Sequence, residues 1–451
     1  MSWFDSIEHV HWLSAHMRHM MAYGARSEVP TGFGTMDADG NVHEDAPVQL
    51  YITARLTHIY SLGVLMGLPG CRRLAAHGIK AMSEYFYDPV NGGWYDAIEP
   101  RLDADGKARP AEGHDDKRAY STAFVMLAAA TATAANRDNA HELLRKVLDD
   151  HNEHWWDEAA GMVVESYNRD YSVCEPYRGM DSNMHTVEAL LVAADVTHEE
   201  LWLERAHRIL ENVVNQARDH AWRIPEHFDA DWNFQPDYHA DDPQNPHRAY
   251  GYAVGHAFEF SRLLLEARAM WHEAGHDLED WMLEGATEIF ERTRVDAWRR
   301  DGAAGFVYTI DDDGAAVIHD RLGWVCFEAI NAAVALYRTS ANGERTMGDM
   351  EHYEHCYHSW IDYAAQYLLV PDGSVVAKLN RDNEPIDMLN TARRETMYHA
   401  VQALLFPRLP LTPSISSAIA LGALDKPEWK PKEQKPTQPR GFFPRVFGHG
   451  K

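Results

Sequence analysis

The chain has 451 residues with 42 Lys+Arg against 69 Asp+Glu, a formal net charge of −27. Such a surface repels polyanions and all but excludes a nucleic-acid binder. At 45% hydrophobic and 11% aromatic, the chain is too apolar for disorder and long enough to bury a large core.

The first residues, MSWFDSIEHVHWLSAH, have neither the basic start nor the continuous apolar run of a signal peptide. Six short stretches that place Gly beside aromatic or β-branched residues then recur: TGFGTMDADG (31–40), NGGWYDAI (91–98), AGMVVESY (160–167), AWRIPEHFD (221–229), AGFVYTIDDDG (304–314) and DGSVVAKLNRDN (372–383). Each reads as a small hairpin or extended loop. Between successive ones lie two segments of helical apolar periodicity, for example 47–66 then 70–86, and 181–197 then 198–218. Six units of roughly 60 to 80 residues, each a loop and two helices, predict an (α/α)6 barrel. Segments apolar nearly all round, such as AYSTAFVMLAAATATAA, suit its inner helices, and the amphipathic WLERAHRILENVVNQAR suits the outer ring. Two stacked helical bundles would leave the sixfold loop signal unexplained.

The barrel is expected to occupy 1–425 as one catalytic domain. The remainder, 426–451, carries Pro427, Pro431, Pro436, Pro439 and Pro444 and a local excess of Lys and Arg, and is read as a free tail. Cys71, Cys174, Cys326 and Cys356 are widely spaced without a C-x-x-C pair, which fits a reduced, cytoplasmic protein. The most apolar runs, such as 123–135, are too short and too interrupted to cross a membrane.

If the inner helices begin just after each long loop, their first turns surround one mouth of the barrel. In order they carry Arg55, Tyr120, His185, His256 with Glu259, Trp324 with Glu328, and Glu395 with His399. The steps 55→120→185→256→324→399 span 65, 65, 71, 68 and 75 residues and so track the repeat. A lone His or Trp on an apolar helix is usually packing. One polar residue at equivalent depth on each of six buried helices points instead to a shared cavity, because separately buried polar groups would each be costly. Two facing histidines can donate and accept protons near neutral pH. Glu259 lies three residues after His256 and Glu395 four before His399, so each carboxylate shares a face with its histidine and is expected to orient it. Arg55 offers a cationic fork for an oxyanion, and Trp324 a flat face for a sugar ring.

Other clusters read as structural. EHYEHCYH (351–358) has His352, His355 and His358 at three-residue spacing, but on an expected outer helix. DADWNFQ (229–235) begins like a calcium loop and then places Phe234 and Ala240 where Gly and an acidic ligand are needed. There is no H-E-x-x-H, P-loop, G-x-S-x-G or G-x-G-x-x-G.

VPTGFG (29–34), ITARLTHIYSLG (52–63), HGIKAM (77–82), GGWYDA (92–97), SNMHTVEALL (182–191), EHFDADWN (226–233), HRAYGYAVGHAFEFSRLLL (247–265), GFVYT (305–309) and FPRLPL (406–411) together resemble the N-acylglucosamine 2-epimerase superfamily. Within it the chain is most similar to bacterial aldose–ketose isomerases acting on mannose or sulfoquinovose, from Trp3 to about Leu421. The resemblance implies an (α/α)6 barrel and interconversion of an aldose and its 2-ketose through a cis-enediol(ate), with no metal or cofactor. It gives His399 as the base at C2, His256 as the histidine that assists ring opening and proton shuttling, and Arg55 as the holder of the O1/O2 side. Glu259 joins this catalytic set. His185, Tyr120, Trp324, Glu328, Asn183, Arg248 and Glu395 become substrate contacts.

Thr122 stands where several relatives have His. Glu395 falls where sulfonate-handling relatives would want a neutral or cationic donor, so with the acidic body a neutral sugar is favoured. The expected pair is D-mannose and D-fructose, with D-lyxose and D-xylulose second. A 2-epimerase or a sulfoquinovose isomerase stays open as an alternative, as does a glycoside hydrolase using Glu259 and Glu328. The expected partner is a monosaccharide, with no nucleic acid and no membrane; whether the protein is a monomer or a homo-oligomer is open.

Overall fold

The computed structural model describes residues 2–428 apart from 38–39, 247, 345 and 387–390. Its helices are α1 (Ile7–Gly24), α2 (Leu50–Leu65), α3 (Cys71–Lys80), α4 (Ala119–Ala134), α5 (Ala140–Asp150), α6 (Met180–Thr197), α7 (Glu200–Asp219), α8 (Val254–Glu273), α9 (Asp280–Ala297), α10 (Gly323–Ala341), α11 (Met350–Tyr367), α12 (Thr391–Leu405) and the short α13 (Ile415–Ala420). The even-numbered helices from α2 to α12 each touch the next and close into a ring when α12 meets α2. The odd-numbered ones, α1 to α11, lie outside.

Composition explains the two layers. Beyond Tyr120 and Ser121, α4 is built from Ala, Thr, Val, Phe, Met and Leu and buries nearly every position, because it has neighbours on all sides. α7 buries only Trp202, Leu203, Ala206, Ile209, Leu210, Val213, Val214 and Ala217, a three-and-four spacing that makes one face. Each large aliphatic side chain on that face contributes ~1.5–3 kcal/mol through burial. Among the described residues no helix is long and apolar enough to cross a membrane.

The sixth helical pair is not a consecutive hairpin, as the repeat had suggested. α12 from the end of the ring takes α1 from the beginning of the chain as its outer partner. The chain starts on an outer helix and each inner helix takes the outer helix that follows it, so the last inner helix is left to pair with the first outer one.

The loop signals become two-residue and three-residue ladders with a common role. Val48–Gln49 pairs with Ala97–Ile98, Lys117–Arg118 with Ser166–Tyr167, Tyr177–Gly179 with His227–Asp229, Tyr252–Ala253 with Thr309–Ile310, and Arg321–Leu322 with Lys378–Leu379. In every case the first strand runs straight into an inner helix whose N-terminus lacks a side-chain cap. The first N–H groups of these helices, on Leu50, Ala119, Met180, Val254 and Gly323, donate instead to the carbonyls of Asp96, Glu165, Glu226, Tyr308 and Ala377 in the next loop. Backbone donors that would otherwise be orphaned thus clamp each loop over the neighbouring helix start. Acidic side chains from the loops are thereby brought beside the polar first turns.

Candidate active site

The six residues at repeat-equivalent positions meet at one mouth of the barrel. Arg55 Nη2 donates to the Tyr120 hydroxyl at 3.0 Å, and its guanidinium lies 4.1 Å from the Phe124 ring centroid. The Tyr120 ring is edge-on to His185 at 5.3 Å, and His185 is 6.4 Å from His399. Trp324 stands between the other two histidines, its ring 5.3 Å from His256 and 5.6 Å from His399. Gly255 makes room for it: a Cβ there would fall 2.2 Å from Trp324 Cζ3.

His399 is 4% exposed, and its Nδ1 lies 2.7 Å from Glu328 Oε1. Burial lowers the imidazole to about 4, against the raising effect of Glu328. Burial also resists ionisation of Glu328, yet Arg262 and the His399 ring outweigh it and hold that carboxyl at about 2. His399 is therefore neutral, with Nδ1–H donated to a carboxylate and the Nε2 lone pair left as the basic atom.

Beneath this pair lies a buried cation. Arg262 is 1% exposed and faces four carboxyl groups: Nη1 to Glu266 at 3.0 Å, Nη2 to Glu259 at 3.2 Å and to Glu188 at 3.7 Å, and Nε to Glu328 at 3.4 Å. One guanidinium cannot compensate four buried anions. Burial, reinforced by the Glu328 charge, pushes Glu259 well above the carboxylate range, and burial raises Glu266 to about 7. Glu259 is thus pushed towards its neutral form, while Glu188 is stabilised as an anion by Arg262, by the Tyr398 hydroxyl and by Gln402 Nε2 at 2.8 Å.

His256 has the opposite setting. Its Nδ1 lies 2.9 Å from Glu226 Oε2 and its Nε2 3.4 Å from Asp181 Oδ1. Burial disfavours its charge, but these two carboxylates prevail and raise it to about 9. Asp181 also reaches His185 Nε2 at 3.3 Å, and His185 is held below its ordinary value chiefly by burial. A neutral histidine and a protonated one therefore flank the same indole, with an arginine nearby: a base, an acid and an oxyanion donor in one cavity.

Residues 32–403 match the family model for N-acylglucosamine 2-epimerase (GlcNAc 2-epimerase). The chain belongs to that family. It is 39% identical over 421 residues to a D-mannose isomerase of Thermobifida fusca, covering 93% of this chain and 98% of the relative. It is 37% identical over 420 residues to a D-mannose isomerase of Pseudomonas cannabina pv. alisalensis, covering 93% and 97%. A D-mannose isomerase crystal structure superposes with a TM-score of 0.78 at 24% identity, over 87% of this chain and 96% of the other, a likeness of fold.

In this member of the N-acylglucosamine 2-epimerase family, the carboxylates that orient His256 come from other elements than its own helix. Glu226 and Asp181, not Glu259, hold His256, and Glu328 receives the Nδ1–H of His399. A residue three positions further along an inner helix sits deeper down the axis, so Glu259 meets Arg262 and lies 3.7 Å from His185 Nδ1. The side chain of Glu395 lies outside the described residues. Asn183 is not turned to the cavity: its amide accepts from Val163 N–H at 2.8 Å and donates to Gly179 O at 2.9 Å, tying a loop to α6. Arg248 forks onto Glu175 at 2.7 and 2.8 Å, over the Tyr177 ring.

Glu226, Asp181, Glu188 and Arg262 escaped the sequence reading. The repeat contained a signal for Glu226: an acid occupies the residue before the strand in three successive hairpins, at Asp96, Glu165 and Glu226. Two sets of side chains, His185, Glu188 and Glu259, and Glu259, Glu328 and His399, bring their ligand atoms within 4.8 Å of one another. Arg262 touches the carboxylates of both, so a guanidinium already stands within 3.7 Å of Glu188, Glu259 and Glu328. On the outer helix, His352 pairs with Glu291 at 2.6 Å and His358 lies against Trp3 at 4.0 Å. Asp229 closes its loop by accepting from Asn233 N–H at 2.9 Å.

Proposed function

We propose that the protein interconverts D-mannose and D-fructose by transferring a proton between C2 and C1, with D-lyxose and D-xylulose as a second pair. The observation that carries this reading is the placement of His399 and His256 on either side of Trp324, with Glu328 on the one and both Glu226 and Asp181 on the other, a setting that lowers the first imidazole and raises the second. The D-mannose isomerases to which the chain is 37–39% identical support the choice of sugar.

His256 donates to the ring oxygen and takes back the anomeric O1 proton as the pyranose opens over the indole. His399 Nε2 takes the C2 proton, Arg55 stabilises the charge that develops on oxygen, and a cis-enediol(ate) results. His399 then returns the proton to C1 while the O2 proton passes to the O1 side, so atoms and charge balance. Glu328 keeps the His399 tautomer correct throughout. Glu259 and Glu328 share one guanidinium, which favours this chemistry over hydrolysis by two carboxylates set across a glycosidic bond. The catalytic unit is the barrel to about residue 425. The free cysteines Cys71, Cys174, Cys326 and Cys356 support a reducing, cytoplasmic setting.

The test is incubation of the purified protein with D-mannose in D2O, followed by proton NMR. Fructose carrying deuterium supports the reading. Glucose as the first product makes the protein a 2-epimerase, and an inert mannose sends the search to sulfonated sugars and then glycosides.

A further inference from the structure

A cavity of about 430 Å³ opens at the end of the barrel opposite the histidines. It lies between the last turns of α8 and α10, the segment at 410–412, and Pro427 and Glu428. His256 and Trp324 occupy the first turns of the same two helices, so at 1.5 Å per residue the two sites are separated by about 20 Å. The volume falls within the usual range for small-molecule sites, ~300–1,000 Å³.

Two arginines line it, Arg268 at 5% exposed and Arg338 at 6%. Arg268 is well partnered: Nε donates to Glu279 O at 3.0 Å and Nη1 pairs with Glu344. Arg338 is not. Among the described residues it makes one hydrogen bond, from Nη2 to Pro407 O at 2.8 Å, and its Nε is buried without a partner. The carboxylate facing it, Glu428 Oε1, stands 3.7 Å from Nη1, beyond hydrogen-bond reach, on a side chain 79% exposed. Burial lowers the Arg338 pKa more than Glu428 restores it, as expected of a cation short of negative charge. Thr339, Asn342 and Thr412 add polar groups to the wall.

We propose that this cavity is a second binding site, for a small organic oxyanion such as a sugar phosphate or sugar acid, whose charged head replaces the Glu428 carboxylate on Arg338. Arginine forks suit such heads because two N–H groups meet two oxygens. Glu428 acts as a weak internal competitor. The site does not depend on the reaction assigned to the histidines.

Isothermal titration of the full chain with fructose 6-phosphate and gluconate, with fructose and inorganic phosphate as controls, tests this. One of the two organic anions binds in the micromolar to low millimolar range, at least tenfold tighter than phosphate. R338Q weakens that binding at least tenfold, and E428Q, an exposed change that spares the fold, tightens it severalfold. Binding that survives R338Q, phosphate binding as tightly as the anions, fructose binding that R338Q weakens as much as it weakens the anions, an unchanged or weaker affinity in E428Q, or no binding of the anions at all overturns the proposal. If R338Q does not fold, the E428Q result decides alone.

Discussion

His399 Nδ1 lies 2.7 Å from Glu328 Oε1, and the two residues reach each other across neighbouring inner helices, α12 and α10, of the ring. The carboxylate fixes which imidazole nitrogen holds the proton and raises the basicity of the other. His399→Ala is expected to lower kcat by ~10²–10⁴-fold, the usual contribution of a positioned base, with circular dichroism and Tm close to wild type. Glu328→Gln keeps the shape and removes the charge, so kcat falls without a matching rise in KM. Steady-state kinetics on both variants checks this, and a fully active His399→Ala would remove that residue as the base.

His256 and Glu226 set the alkaline side. With His256 held at about 9, kcat/KM for mannose should decline as pH rises through that value and the acid is lost. Glu226→Gln removes one of the two charges that stabilise the imidazolium, so the alkaline limb moves to lower pH. Folding follows the same sign. A pKa raised above the unfolded ~6.5 adds stability that is complete below that pH and lost as pH climbs through 9. Thermal melts of wild type and Glu226→Gln from pH 6 to 10 should therefore converge at the alkaline end.

The ring and its six polar inner-helix positions were legible because both follow a repeat, and a repeat multiplies a weak signal; their depth was not, since Arg55 and His185 stand sixth and His399 ninth in their helices rather than in the first turn. Arg55, Tyr120, His185, His256, Trp324 and His399 each look ordinary alone and meet in space. What stayed hidden was which acid serves which base. Helical spacing pairs residues on one element, whereas Glu226 reaches His256 from a loop clamped down by backbone bonds, and Glu328 reaches His399 from another helix. Splitting the sixth pair between chain ends was equally invisible to a pattern read in sequence order.

Asn183 separates the two kinds of inference. It sits two residues before His185 in the same motif, yet its amide bonds the backbone of Val163 and Gly179. Asn183→Ala leaves those buried groups unsatisfied and is expected to cost ~1–3 kcal/mol of stability. Chemical denaturation measures this, and KM for mannose should change little. A large rise in KM at unchanged stability would return Asn183 to the sugar.

Gly255 is tested through Trp324. A methyl group at position 255 would lie 2.2 and 2.4 Å from indole carbons, so the ring must shift. Overpacking of this kind costs ~1–3 kcal/mol. Because the ring lies against both histidines, Gly255→Ala should raise KM and lower kcat together. Trp324→Phe in the same background relieves the clash and should recover part of the lost Tm.

Metal dependence tests the role of Arg262. A divalent ion held by Glu259, Glu328 and His399 would stand within a few ångströms of a guanidinium that already touches both carboxylates. At ~4 Å two such charges repel by several kcal/mol per unit charge even at an effective dielectric near 20. Burial also resists the ionisation of Glu259 that a metal ligand there would need. Prolonged treatment with EDTA should therefore leave kcat and KM for mannose unchanged, and added Mn²⁺, Co²⁺ or Zn²⁺ should not raise them. Loss of activity on chelation, restored by one of these ions alone, would mean that Arg262 moves aside and the carboxylates serve a metal.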